Sequence, residues 1–402
     1  MIYLNKRVNH NKTYPFTKIF TLLLTFFFVS CASWHKETFL TADTAFDSRD
    51  TLLLTFAGDL MAHNVNWKYK DFDSPLEDIK KLASEADFSF INVETPVDSS
   101  KAYSSYPNFN VHEEFADAAI NAGFNVFSLS NNHSNDQGLD GIKATKKYFD
   151  AKRTASKETE RTVYSSGLKD SSEDSMSYEI LEKNGWKILY LAVTELLNRP
   201  SYSSYINYVE PSKKSRKNFC TKIQKLREEN PCDFFILSFH TTEPEYVLET
   251  EDAQKKFYKD LLDSGVDIIS ANHPHVPKEW YVYFDKEGVP KKMVFLSQGN
   301  TLSGQRRWLD FSNVSAPLEY TGDGFITLVC FEKKNGSVCI AWINPVIITT
   351  YTPAKKNYET RILDEDFIKN MEETHGKKTS SYYSSRKKLM EKIKGKIKNY
   401  DN

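Results

Sequence analysis

Short apolar runs rich in Leu, Val, Ile and Phe alternate along this chain with stretches whose apolar residues recur at helical spacing. The runs at 52–57, 88–93 and 124–129 predict buried strands, and the segments 76–86, 113–122 and 139–150 between them predict helices. The rhythm returns with strands at 186–193, 234–239 and 266–270 and helices at 212–229 and 251–264. After residue 290 strands follow one another, at 293–297, 325–331, 338–343 and 346–350. Alternation that ends in consecutive strands predicts an α/β sandwich, two packed sheets with helices outside, and not a Rossmann domain. No Gly-x-Gly-x-x-Gly or Walker phosphate loop accompanies it. Two stretches break the pattern: 156–177 is rich in Ser, Glu and Lys, and 199–212 carries Tyr202, Tyr205 and Tyr208 without period. Both read as surface loops, the second placed where it could cover a substrate.

Composition narrows the class. With 402 residues, 40% hydrophobic and 27% charged, the chain is globular, and a net charge of −1 gives no reason to expect nucleic acid as a partner. The first thirty residues depart from this. Lys6, Arg7, Lys12 and Lys18 precede an apolar run at 19–29 that is too short to span a bilayer, and Ser30-Cys31 follows. This resembles a lipoprotein signal in which Cys31 is lipidated, with Phe28 where Leu is more usual. The chain is therefore expected to be exported, held to the membrane through Cys31 and facing the periplasm or cell surface. Residues 32–50 read as a polar tether, 51–352 as the folded domain and 353–402 as a basic tail. From 377 to 402 there are nine Lys or Arg against two acidic residues. Leu389, Ile393 and Ile397, four apart, predict one apolar helix face, suited to anionic lipid or polymer or to packing on the body. Export permits disulfides among Cys220, Cys232, Cys330 and Cys339, and buried thiols are the other reading.

Chemistry gathers at the strand ends. Gly58-Asp59 follows the first strand, with His63 four residues on, so a carboxylate and an imidazole can share one cation. Asn92 and Glu94 end the second strand on one face, and a glutamate among apolar neighbours needs a pair or a metal. The third strand runs into Asn131-Asn132-His133-Ser134-Asn135-Asp136. There an Asn carbonyl suits a metal, while His133 can donate a proton to a leaving group with Asp136 orienting it. Downstream, His240 ends one strand and His273-Pro274-His275 another, the proline stiffening an extended segment that projects both imidazoles the same way. A site of this kind needs no Ser or Tyr nucleophile, since metals can activate water.

Together, Gly58-Asp59-Leu60-Met61, Asn92-Val93-Glu94, Ala122-Gly123-Phe124 leading to Asn131-Asn132-His133-Ser134, Gly265-Val266-Asp267 leading to His273-Pro274-His275-Val276, and Leu296-Ser297-Gln298-Gly299-Asn300 resemble the CapA family of poly-gamma-glutamate capsule synthesis proteins. The resemblance implies a four-layer α/β/β/α metallophosphatase-like sandwich with two divalent ions, Mn, Zn or Fe. It places Asp59, His63 and His275 on one metal, Asn132, His240 and His273 on the other, and Glu94 between them. It makes His133 the general acid and leaves Asn92 as an outer support. It further implies a hydrolase or transferase acting on an envelope or capsular polymer, in company with capsule synthesis and export proteins. A noncatalytic polymer-binding scaffold is the alternative. Thr241-Thr242-Glu243-Pro244 and Pro277-Lys278-Glu279 depart from the family pattern at the cleft wall.

Overall fold

The computed structural model describes Ile2 and Tyr3, residues 50–334 and residues 337–399. Apart from Ile2, Tyr3 and Asp50, the expected signal, Cys31 and tether lie outside the described residues. The chain runs β1 (Ile2–Tyr3), β2 (Thr51–Leu60), α1 (Asn64–Trp67), α2 (Lys80–Ser84), β3 (Phe88–Val93), α3 (Glu113–Asn121), β4 (Val126–Ser128), α4 (Gly138–Ser156), β5 (Tyr164–Ser166) and β6 (Tyr178–Lys183). It continues through β7 (Trp186–Thr194), α5 (Lys213–Glu229), β8 (Phe234–His240), α6 (Asp252–Asp263), β9 (Ile268–Asn272), β10 (Trp280–Phe284), β11 (Pro290–Phe295) and β12 (Asn300–Leu302). It closes with β13 (Asp323–Lys334), β14 (Ser337–Tyr351), β15 (Glu359–Ile362), α7 (Glu365–His375), α8 (Lys377–Met390) and β16 (Gly395–Asn399).

These strands form two sheets, ordered β1-β14-β13-β2-β3-β4-β5 and β16-β10-β11-β9-β8-β7-β6, with β12 beside β2 and β15 beside β14. Period two along β2 explains how they stack. Leu52, Leu54 and Phe56 face inward onto Ile188, Tyr190, Phe234 and Ile236 of the other sheet. Thr55 and Ala57 face outward, and Thr55 Oγ1 donates to Leu82 O of α2 at 2.8 Å. Leu54 and Phe56 are fully buried, each worth roughly 1.5–3 kcal/mol. A second core lies between the first sheet and α2, α3 and α4, and a third between the second sheet and α5 and α6. The result is the four-layer α/β/β/α sandwich expected from the sequence. Strands β2, β3 and β4 are parallel to one another, as are β7, β8 and β9, so their carboxyl ends gather at one rim of each sheet.

Several elements differ from the expectation. Strand β14 runs unbroken through Pro345, which falls between the stretches flanked by β1 and β15, where one edge is open and no neighbour needs its missing N–H. The polar stretch 156–177 contains the edge strand β5. Cys330 pairs with Trp342 and Cys339 with Glu332, so the two sulfurs are not opposed, and all four described cysteines are reduced thiols. The segment 353–402 is helical in part and, of the two alternatives, takes the one in which it packs on the body, with more elements than the single helix expected. Strand β15 pairs with β14, and α7 and α8 enclose a small core of Leu363, Phe367, Met371, Tyr382 and Tyr383. Helix α8 stops at Met390, and Gly395 opens β16 alongside β10, where a Cβ would come 2.3 Å from the Trp280 indole nitrogen. Leu389 and Ile393 pack on the inter-sheet core, whereas Ile397 sits on a strand, 63% exposed. No described helix is long and apolar enough to cross a membrane.

Candidate metal centre

A bulge begins the site. Phe56 pairs with Phe90 but Asp59 pairs with Asn92, so β2 carries one residue more than β3 over this stretch. Gly58 makes room for it: a Cβ there would lie 1.8 Å from Gly299 O, and Asp59 N–H donates to that carbonyl at 3.1 Å. Asp59 is thereby delivered, fully buried, at the end of the strand. Asn92 Nδ2 donates to Asp59 Oδ1 at 2.8 Å and approaches Glu94 Oε2 at 3.4 Å, orienting both carboxylates. Asn131 holds Asn92 in turn, with Nδ2 3.3 Å from Asn92 Oδ1 and 2.8 Å from Val93 O.

Three imidazoles close on these acids. The donor atoms of Asp59, Glu94 and His240 fall within 4.8 Å of one another, as do those of Glu94, His273 and His275. His273 and His275 do not sit on an extended segment. Their φ angles are +104° and +56°, a region that non-glycine residues enter at a cost of order 1–3 kcal/mol each, typically at functional sites. The strain turns both rings inward around Pro274, with His240 and His273 centroids 5.0 Å apart. Burial holds His240 far below the usual imidazole range and lowers His273 to about 3, with the neighbouring imidazoles adding to both. His275 is the exception. Burial pulls it down, but the charges of Glu94 and Asp59 outweigh that and lift it to about 9. Burial, then the charge of Asp59, pushes Glu94 well above the usual carboxylate range.

Beside this cluster stands His133, with Nδ1 2.6 Å from Asp136 Oδ2, an oxygen that also accepts Phe109 N–H at 2.8 Å. Asn132 Oδ1 lies 2.9 Å from His240 Nε2. His63 is set further out. Its Nδ1 accepts Gly304 N–H at 3.1 Å, so only Nε2 could reach a cation, and it belongs to neither donor group. Burial, then His275, lowers it to about 3. Phe109 separates His63 from His133, with ring centroids 5.2 and 4.6 Å away. Thus Asp59, Glu94, His240, His273 and His275 come together, Asn132, His133 and Asp136 border them, and His63 stands at the edge. Sequence reasoning missed Asn198, which follows β7: its Oδ1 accepts from Asn132 Nδ2 at 3.2 Å and its Nδ2 lies 3.3 Å from His133 Nδ1. Its one signal is its place beyond the carboxyl end of a strand.

The donor set suits divalent cations. Asp59 Oδ2 and Glu94 Oε1 are buried without a hydrogen-bond partner, a costly state that a cation would relieve, and burial keeps the nearby His240 and His273 neutral and free to ligate one. Hard oxygens and borderline nitrogens in one dry cluster match Mn, Fe or Zn.

The profile of the bacterial capsule synthesis proteins (PGA_cap) matches residues 53–305, the span that holds every one of these residues. The chain belongs to this family. Among curated relatives, the chain is 26% identical over 323 residues to the capsule biosynthesis protein CapA of Bacillus anthracis, covering 76% of this chain and 73% of that one. It is 25% identical over 285 residues to the PGA biosynthesis protein CapA of Bacillus subtilis (strain 168), covering 69% and 70%. Among solved structures it is similar to a hypothetical protein from Thermus thermophilus at 14% identity, covering 74% of this chain and 98% of that chain, with a TM-score of 0.43. It is also similar to a calcineurin-like phosphoesterase from Bacillus subtilis, at 14% identity, 83% and 99% coverage and a TM-score of 0.42. Those structural likenesses are loose, and the layer order rests on the strands and cores of the molecule itself.

Proposed function

We propose that this protein acts in the assembly or anchoring of a capsular or envelope polymer of the poly-gamma-glutamate type, through a two-cation site that hydrolyses or transfers a phosphoester or amide bond. The carrying observation is the meeting of Asp59, Glu94, His240, His273 and His275 around unsatisfied carboxylate oxygens, next to the His133–Asp136 pair. Asp59, His63 and His275 would hold one cation, Asn132, His240 and His273 the other, with Glu94 between. Divalent cations held there supply Lewis-acid activation of water and of the scissile group. Asp136 fixes His133 with its Nδ1 engaged, which leaves Nε2 to pass a proton to the departing group. Asn92 and Asn131 keep the carboxylates aimed, and Asn198 steadies the Asn132 amide.

Export and attachment through Cys31 complete the proposal, placing the site on the side of the membrane where such a polymer is handled. Mass spectrometry of the processed protein should find an acyl chain on Cys31. Elemental analysis of purified protein should find divalent metal, with chelation abolishing turnover across a panel of phosphoester and amide substrates and manganese or zinc restoring it. Metal-free protein with no response to either ion refutes the proposal. A Glu94→Gln protein that folds, loses its metal and still supports capsule assembly would replace catalysis by polymer binding.

A further inference from the structure

Asn300 belongs to neither donor group, yet it touches His275. Its Nδ2 donates to Thr321 O and to Gln305 Oε1, each at 2.8 Å. A backbone carbonyl can only accept, so the amide nitrogen must face Thr321 and Oδ1 must face His275 Nδ1, 3.0 Å away. An acceptor at that point keeps a proton on Nδ1. Asp59 Oδ2, 3.1 Å from the same nitrogen, is a second acceptor, so both neighbours of Nδ1 favour a proton there. The lone pair of a neutral His275 then belongs to Nε2, which lies 3.6 Å from Glu94 Oε1.

Thr321 is itself held by buried charge. Two residues on, Asp323 accepts Arg306 Nη1 at 2.9 Å and Arg386 Nε at 2.6 Å, and all three side chains are almost wholly buried. Arg386 comes from α8, donates also to Val314 O, and lies 4.0 Å over the Tyr320 ring. Gly322 leaves space for the Arg306 guanidinium, since a Cβ would come 2.0 Å from its Nε. A last helix far along the chain is thus tied to the turn that supplies the acceptor for Asn300.

We infer that Asn300 is a positioning residue that presents His275 to a cation through Nε2, and that Arg386 keeps the acceptor of Asn300 in place through Asp323. The inference rests on the cation reading above and assigns these two residues a part in it. Outer partners of this sort typically change metal affinity by about 10–100-fold when removed.

The test is calorimetric titration of manganese into chelator-treated wild type, Asn300→Leu and Arg386→Met, with thermal unfolding measured alongside. Asn300→Leu should weaken binding by about 10–100-fold and Arg386→Met by a smaller factor. A merely structural role would lower the unfolding temperature and leave affinity unchanged; that result for Asn300→Leu overturns the inference, and for Arg386→Met it removes the part given to α8. Nitrogen NMR of labelled histidine in zinc-loaded wild type, assigned with His275→Gln, needs no folded variant of Asn300. It should show His275 protonated at Nδ1 and ligated at Nε2, and ligation through Nδ1 overturns the proposal. A wild type that binds neither ion refutes the cation site itself, whereas normal wild-type binding with an unaffected Asn300→Leu refutes this inference alone.

Discussion

Cation binding at this site should compete with protons in a defined pH window, because His275 must be neutral to ligate. With its pKa lifted to about 9 by Glu94 and Asp59 against the pull of burial, His275 is overwhelmingly imidazolium at neutral pH. Two pH units separate neutrality from that value, so only about 1% of the site is ready, and affinity at neutral pH should lie on the order of 100-fold below its limit. The sign follows directly: affinity rises with pH below the pKa and levels off above it. His63 and His273, at about 3, and His240, well below the usual range, are already neutral at pH 7 and should not compete. Glu94, pushed up by burial and by Asp59, can add a second proton. Titrating manganese between about pH 6 and 8.5, in two buffers of different protonation heat, should show at least one proton released per site and an affinity that changes about tenfold per pH unit. A flat affinity with no proton release would refute the claim that His275 is drawn into the acidic pair.

Asp136→Asn should cut turnover by about 100-fold or more while leaving manganese affinity unchanged, since the residue touches His133 and not the cation donors; parallel kinetic and calorimetric measurements decide it. Phe56→Ala removes a fully buried ring stacked at 4.9 Å on Phe90, and chemical denaturation should report a loss of about 3–5 kcal/mol. Gly58→Ala drives a Cβ into Gly299 O, so it should displace Asp59 and abolish manganese binding in titrations where Ala57→Gly retains it. Deleting residues 377–402 should yield insoluble or unfolded protein by circular dichroism, because Tyr382, Tyr383, Arg386 and Met390 are buried; a deletion that stays folded contradicts the packing of α8.

Much of this was legible along the chain. The apolar runs named β2, β3, β7 and β8 within a few residues, because a strand covered on both faces by helices and a second sheet has little choice but to be apolar throughout. Strand β10, Trp280–Phe284, was hidden because its aromatic run follows directly on the His-Pro-His turn. The C-terminal segment was legible only in part, as a helix able to pack on the body, for a different reason. Lysines at 387, 388, 392, 394, 396 and 398 dominate its composition, while its role is decided by Arg386, whose partner Asp323 lies 63 residues away.

Residue order alone determined which donors exist, that they stand at strand ends, and, through five ordered motifs, the family. Only tertiary structure decided which of them meet. Asp59 and His275 are brought together by parallel pairing within separate sheets and by a strained turn that no periodicity announces. The inward aim of His273 and His275, the Asn300 contact that keeps a proton on one nitrogen, and the fully buried Arg386 are properties of distances across the fold. Local propensity sets strands and helices residue by residue, whereas a cation cluster depends on angles summed over the whole sandwich.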